Sequence, residues 1–257
     1  MSIFPSLPAD AMDEKALAEE LLAWATDWEG HEVPAREMVE VAYHTVSPRS
    51  VFLKNLPQGS SVLDLGAGDG GLSNYLAWPA PDRSDLSLYA LSLSEGALFD
   101  RYAGMELGDF EKAPMDFGGR QFDAAICAHF IEHMHGLDRT VEYLRERLKP
   151  GGRVYIEWPH PASGRFPTRH DFIGNGLPTS TTNFHDDPTH VEAWSMEQVT
   201  DALKAQGFAL EAMGRIHLPW LADALKLVAH RHNDITCGTF AVWCKAGFAQ
   251  YLVASRR

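Results

Sequence analysis

Cysteine is scarce. The 257 residues hold three, Cys127, Cys237 and Cys244, and they have no paired spacing. That excludes a disulfide framework and a cysteine zinc signature. No apolar run reaches about 18 residues, so no membrane-spanning helix is expected. Met1-Ser2-Ile3-Phe4-Pro5 lacks the charged and apolar regions of a signal peptide, and a reducing cytoplasm is the expected compartment. Positive charge is short as well: 22 Lys and Arg face 35 Asp and Glu, a net charge of −13, and the one basic run is Arg256-Arg257. Binding a nucleic acid duplex needs phosphate-neutralising cations, so the expected partner is a small molecule rather than nucleic acid or membrane. Repeats and low-complexity tracts are also missing.

With 45% hydrophobic and 22% charged residues, the chain has the composition of one α/β domain carrying an elaboration. Its organising stretch is Ser61-Val62-Leu63-Asp64-Leu65-Gly66-Ala67-Gly68-Asp69-Gly70-Gly71. A short apolar run reads as a buried strand, the glycines as a tight turn, and Leu72, Tyr75 and Leu76 as one face of a following helix. Strand, glycine turn and helix together form the entry of a nucleotide-binding unit. Gly66, Gly68 and Gly71 fit the dinucleotide pattern G-x-G-x-x-G, whereas Gly66, Gly68 and Gly70 fit the G-x-G-x-G of S-adenosylmethionine (SAM) sites. Charge separates the two. A dinucleotide sets its diphosphate against the loop amides, where Asp64 and Asp69 would repel it. Unit charges about 4 Å apart at a protein surface interact by roughly 4 kcal/mol. SAM carries a sulfonium and an ammonium, which suit those carboxylates.

Helices are expected over 11–28, with Asp10 as N-cap, and over 34–44, while residues 1–9 read as a loose arm. Strands are expected at 86–91, 105–110, 121–127 and 153–158, and helices entering at 92–98 and spanning 137–149. Residues 159–193 show no sustained period and many prolines and glycines, which marks a functional loop, read here as a substrate lid. Ser195 with Gln198 makes a capping box for a helix to residue 206. A strand at 209–213, a helix at 218–230 and a strand at 249–254 follow.

The glycine turn, the Gly108-Asp109-Phe110 element, the Phe122-Asp123 strand and Leu148-Lys149-Pro150-Gly151-Gly152 resemble the class I SAM-dependent methyltransferases over about residues 58–158. The resemblance implies a Rossmann-like α/β sheet of seven strands, the last antiparallel. It divides the chain into an N-terminal helical cap (1–57) and a SAM-binding domain (58–257) that includes the lid. It implies SAM as cofactor, held by Asp64, Gly66, Gly68, Ser92, Leu93, Asp109, Phe110 and His129. The acid that grips the ribose in that family aligns with Ser92. A hydroxyl lacks the strength of a carboxylate acceptor, so either SAM is held more weakly here or the ribose contact is rebuilt, with Glu95 one turn on as the available acid.

Methyl transfer to a hydroxyl needs a base near the acceptor. His129-x-x-Glu132-His133 matches the H-x-x-E-H of inverted zinc peptidases, a reading its place after a strand of a nucleotide-binding sheet argues against. It is similar to the Glu-x-x-Glu-His of ubiquinone-pathway O-methyltransferases, where a divalent ion is bound; with His129 in place of the first Glu, the set reads either as a metal site or as SAM or substrate contacts without metal. The second cluster is His185-Asp186-Asp187-Pro188-Thr189-His190, whose end is similar to a segment of sugar and polysaccharide methyltransferases. His133, His185 and His190 are the candidate bases. The expected activity is methyl transfer to oxygen, secondarily nitrogen, of a small polar metabolite such as a sugar or secondary metabolite. Two alternatives stand beside it. One is a SAM-binding protein that does not transfer methyl or uses SAM for another reaction. The other is an NAD(P)-dependent oxidoreductase.

Overall fold

A computed structural model describes Leu7, residues 11–113 and residues 115–257. The arm expected over 1–9 (Leu7 apart) and the Asp10 cap lie outside these residues. The helices are α1 (Glu14–Thr26), α2 (Arg36–Val46), α3 (Pro48–Lys54), α4 (Asn74–Ala77), α5 (Asp138–Arg147), α6 (Arg169–Gly174), α7 (Met196–Ala205), α8 (Pro219–His232) and α9 (Ile235–Ala246). The strands are β1 (Ser61–Leu65), β2 (Ser87–Ser92), β3 (Gly104–Leu107), β4 (Phe122–Ala128), β5 (Leu148–Pro159), β6 (Phe208–Arg215) and β7 (Ala249–Arg256).

Alternate side chains of β1 enter different apolar surroundings. Val62 joins Phe52, Leu88, Ala124 and Ile126, whereas Leu63 and Leu65 join Leu91, Ala125 and Val154. A strand covered on both faces belongs to a parallel sheet, and β1 pairs in parallel with β2 and with β4. Leu63 has Tyr89 as register partner on one side and Ala125 on the other. The seven strands run in the order β3-β2-β1-β4-β5-β7-β6, with the last strands antiparallel, as the Rossmann-like reading requires. The order reverses between β1 and β4. That switch point is where open α/β sheets take their ligands.

The chain divides into two compact units. One contains the described residues up to Tyr43 with Pro159–Ala193 and Gly214–Gln250; the other contains His44–Trp158, Trp194–Met213 and Tyr251–Arg257. The second unit holds most of the sheet and the glycine turn. In the first, Leu17, Leu21 and Ala25 of α1 share a core with Phe172, Leu225 and Val242. There α1 is capped by Asp13, whose carboxylate accepts from the Ala16 amide. Residues 159–193, expected as a loop without period, contain α6, started by a Thr168–Asp171 capping box, and two short 3-10 turns.

Four segments differ from the sequence expectation. No α-helix follows β2. The crossover to β3 runs as bends to a single 3-10 turn, Phe99–Arg101. The cause is contact with the glycine turn: a Cβ on Gly96 would sit 2.6 Å from the Gly68 carbonyl oxygen, and the Leu98 amide donates to the Asp69 carbonyl at 2.9 Å. Helix-style bonding within 92–98 would break that junction. Leu148 to Gly152, expected as helix end and stop, already belongs to β5. Leu148 pairs with Phe122, and the register slips before Ala124 pairs with Arg153. Finally, α3 and α9 have no counterpart in the sequence reading. In α9, Cys237, Gly238, Ala241, Val242, Cys244 and Ala246 are all buried, so the segment carries little helical contrast between faces.

Candidate functional site

At the switch point a cleft of about 170 Å³ is lined by Arg49, Asp64, Gly66, Asp69, Tyr75 and Ala128, among others. Gly66 takes a left-handed backbone (φ 82), and a Cβ there would strike the Phe130 ring at 2.7 Å, so only glycine fits the turn. Its amide and that of Ala67 both donate to the Leu91 carbonyl, at 2.9 and 3.0 Å, which ties the turn to the end of β2.

Asp64 is buried at the end of β1, and its Oδ2 accepts from the Tyr102 hydroxyl at 2.6 Å. Burial pushes its carboxyl up to about 6, against the lowering pull of the Tyr102 hydrogen bond and of Arg49, with Asp69 adding a further upward push. Beside it, Arg49 of α3 donates to Glu157 Oε1 at 2.6 Å. Glu157 also accepts from Tyr155 and faces His129 Nε2 at 3.1 Å, while His129 Nδ1 faces Glu132 Oε1, also at 3.1 Å. Burial alone would depress the His129 imidazole; the hydrogen bonds and charges of the two carboxylates instead raise it to about 9. Glu157, whose burial acts upward, is held well below the usual carboxylate range by Arg49 and His129. An imidazolium with both nitrogens donating has no lone pair for an ion. The left-handed backbone of His129 (φ 52) turns its ring into this network at the end of β4.

The other residues expected at the cofactor are spread along the same carboxyl edge. Ser92 is buried at the end of β2, its carbonyl accepting from Gly108, and Leu93 after it is 76% exposed. Asp109 accepts from the Glu111 amide and pairs with Lys112 at 2.7 Å, which lowers its carboxyl. Phe110 is placed in the core, edge-on to Phe130 and Tyr143 at ring distances of 5.5 and 5.1 Å. His133 closes a 3-10 turn after β4, its amide on the Phe130 carbonyl. His185 and His190 belong to the other unit. There His190 Nδ1 lies 2.6 Å from the Phe184 carbonyl, and the His185 amide donates to the capping Asn183.

Sequence reasoning missed Arg49, Tyr102 and His44. The His44 ring lies tilted against Tyr75 and edge-on to Trp78, at 4.6 and 5.2 Å, and burial together with Arg49 lowers it to about 4. No spacing rule links these three to Asp64. An isolated arginine fifteen residues before Asp64 was the one available signal.

Residues 40–213 match a family described as a methyltransferase domain. A ubiquinone biosynthesis O-methyltransferase of Xanthomonas axonopodis pv. citri (strain 306) is 25% identical over 203 residues, 76% of this chain and 80% of the relative. Among solved structures, a SAM-dependent methyltransferase from Mesorhizobium loti covers 81% of this chain and 96% of its own, at 17% identity and a TM-score of 0.52. The [4+2]-cyclase SpnF covers 98% of both chains, at 18% identity and a TM-score of 0.52. These two likenesses concern the fold.

Proposed function

The chain belongs to the class I SAM-dependent methyltransferases, and on that premise we propose that it methylates an oxygen, secondarily a nitrogen, of a small polar molecule. The observation that carries the reading is the charge set of the cleft, two carboxylates and one guanidinium beside a glycine turn. The amino-acid end of SAM presents an ammonium and a carboxylate together. Asp64 and Asp69 suit the first and Arg49 the second, whereas a diphosphate would meet two repelling carboxylates. The cleft volume suits that end of the cofactor. Ser92, exposed Leu93 and Asp109 lie at the ends of β2 and β3, where the ribose and adenine of a nucleoside belong. Gly68 completes the turn that lets the backbone approach.

Bound there, SAM supplies a methyl group on a sulfonium leaving group. The chain's own task is to hold the acceptor in line and to receive the hydroxyl proton as the new oxygen–carbon bond forms. A histidine among His133, His185 and His190 takes that proton. A divalent ion at the β4 turn would rest on Glu132 Oε2, which is buried without a hydrogen-bond partner among the described residues, and on His133, since His129 is fully engaged. Oxygen as acceptor is supported by the relatives named as O-methyltransferases.

Thermal unfolding with SAM, S-adenosylhomocysteine, NAD and NADP tests the cofactor, because a ligand that binds only the native state raises Tm. Stabilisation by the first two is expected; stabilisation by the last two alone overturns the reading. Replacing His185 or His190 by Ala is expected to cut turnover by roughly a hundredfold for whichever is the base, with SAM affinity unchanged. Full turnover in both variants removes the pair from the chemistry and leaves His133.

A further inference from the structure

The crossover between β2 and β3 is shorter than a helical connection and is fastened to the glycine turn along its length. Gly96 lies against the Gly68 and Asp69 backbone, and the Leu98 amide donates to the Asp69 carbonyl. Phe99 reaches Gly70, where a Cβ would meet its ring at 3.0 Å. Tyr102 ends the 3-10 turn with its ring against Phe99 at 5.3 Å, and its hydroxyl passes to Asp64. This is the one hydrogen bond that Asp64's side chain receives from the described residues. It occupies Oδ2 and leaves Oδ1 for the cleft that Asp64 lines.

We propose that Tyr102 is a positioning residue of the cofactor site, its hydroxyl keeping Asp64 ionised and turned so that the free oxygen meets the ammonium group of SAM. The inference rests on the proposed binding of SAM in this cleft and adds what makes its acid competent. The physical reason is burial: a carboxylate withdrawn from water reverts to its neutral form unless donors or cations hold its charge. The charged and titratable groups facing Asp64 are Arg49 from α3, Asp69 from the glycine turn, Tyr102 from the crossover and Cys127 from β4. Arg49 and Tyr102 favour the ionised form, and Asp69 opposes it. The Cys127 thiol, buried, is itself held well above its ordinary range. Tyr102 is thus the uncharged member of the set that donates to Asp64, and removing its hydroxyl alters no net charge.

The test is calorimetric titration of S-adenosylhomocysteine and SAM into wild type and Tyr102→Phe between about pH 5 and pH 7, below the titration of an α-amino group. Wild-type affinity is expected to fall as pH drops through the Asp64 transition. In Tyr102→Phe the falling limb is expected at higher pH by about one unit, with a loss that approaches tenfold near pH 5 and narrows to about twofold at pH 7. A uniform loss at every pH, with the midpoint unmoved, means that Tyr102 only supports the fold, and it overturns the inference, as does a curve that superimposes on wild type. Failure of wild type to bind either compound at any pH overturns the cofactor reading itself. The melting temperature of the free variant, measured alongside, separates misfolding from lost affinity.

Discussion

Asp64→Asn raises the melting temperature of the free protein by about 3–6 °C near pH 7.5 and removes measurable SAM binding. The carboxyl stands at about 6 in the folded chain, above its ordinary value of 3.8. A group raised on folding contributes stability in full below its unfolded value and loses that contribution as pH rises through the folded one. Above about pH 6 the native state therefore carries a carboxylate that water would hold more cheaply. Two units correspond to roughly 3 kcal/mol, a net figure that already contains the attraction to Arg49; Asn recovers part of it, because its amide brings two new N–H donors into a buried site. Asn keeps an acceptor for the Tyr102 hydroxyl and drops the charge. The difference in Tm between variant and wild type should narrow as pH falls below about 6 and close only below about pH 4, where Asp64 is protonated in both the folded and the unfolded chain. A variant less stable than wild type near neutral pH, or one that binds SAM unimpaired, contradicts the argument. The cost of an ionised acid in a dry cleft is thus borne for ligand binding, the usual exchange between stability and function at a site.

Glu157→Gln has the larger cost, a fall in Tm of about 10 °C, because it strips the partner from two cations at once. Arg49, His129 and Tyr155 all converge on this carboxylate. Removing one member of a buried ionic group costs roughly 3–5 kcal/mol, since what remains is charge without compensation. In a chain of this size about 2–4 °C of Tm accompanies each kcal/mol. The pH dependence carries its own signature. His129 is raised to about 9, so its share of stability is complete below its ordinary 6.5 and is lost as pH climbs through 9. Glu157 is depressed, so its share is present above 4.5 and is lost only in strong acid. Wild type should hold a plateau between those limits and decline on the alkaline side. Glu157→Gln weakens the grip on the imidazolium and should bring that decline to lower pH. Denaturation midpoints recorded across the range check this, and an unmoved alkaline limb would show that Glu132 alone keeps His129 charged.

What could be read from the chain in advance was what is encoded locally. Val62, Leu63 and Leu65 announce a buried strand, the glycines after Asp64 announce a turn, and Ser195 with Gln198 announces a helix start that the structure reproduces. Residues 92–98 misled for a local reason too. Ser94, Glu95 and the apolar Leu93, Ala97 and Leu98 have the look of a helix entry, and the contact that prevents it lies far away in sequence, at Gly68 and Asp69. The cleft was legible in its acid and its glycines but not in its support. Arg49 and Tyr102 are single residues on either side of Asp64, brought to it by the closing of the sheet. The same holds for the partners of His129: Glu132 is three residues on and visible as a pattern, while Glu157 lies on the next strand.

The segment 159–193 looks in sequence like free chain, yet its middle is seated on α9. The Pro178 carbonyl oxygen lies where a Cβ on Gly238 would be, 1.8 Å from that position. The Ser180 amide donates to Thr239 Oγ1 at 2.9 Å, and the Trp243 indole donates to the Thr181 carbonyl at 2.6 Å. Even an alanine at 238 would lift this stretch off the helix. A segment anchored in this way cannot flap independently at its tip. Any displacement of it is coupled to α9 and proceeds at the pace of a packed block and not at that of a loose loop.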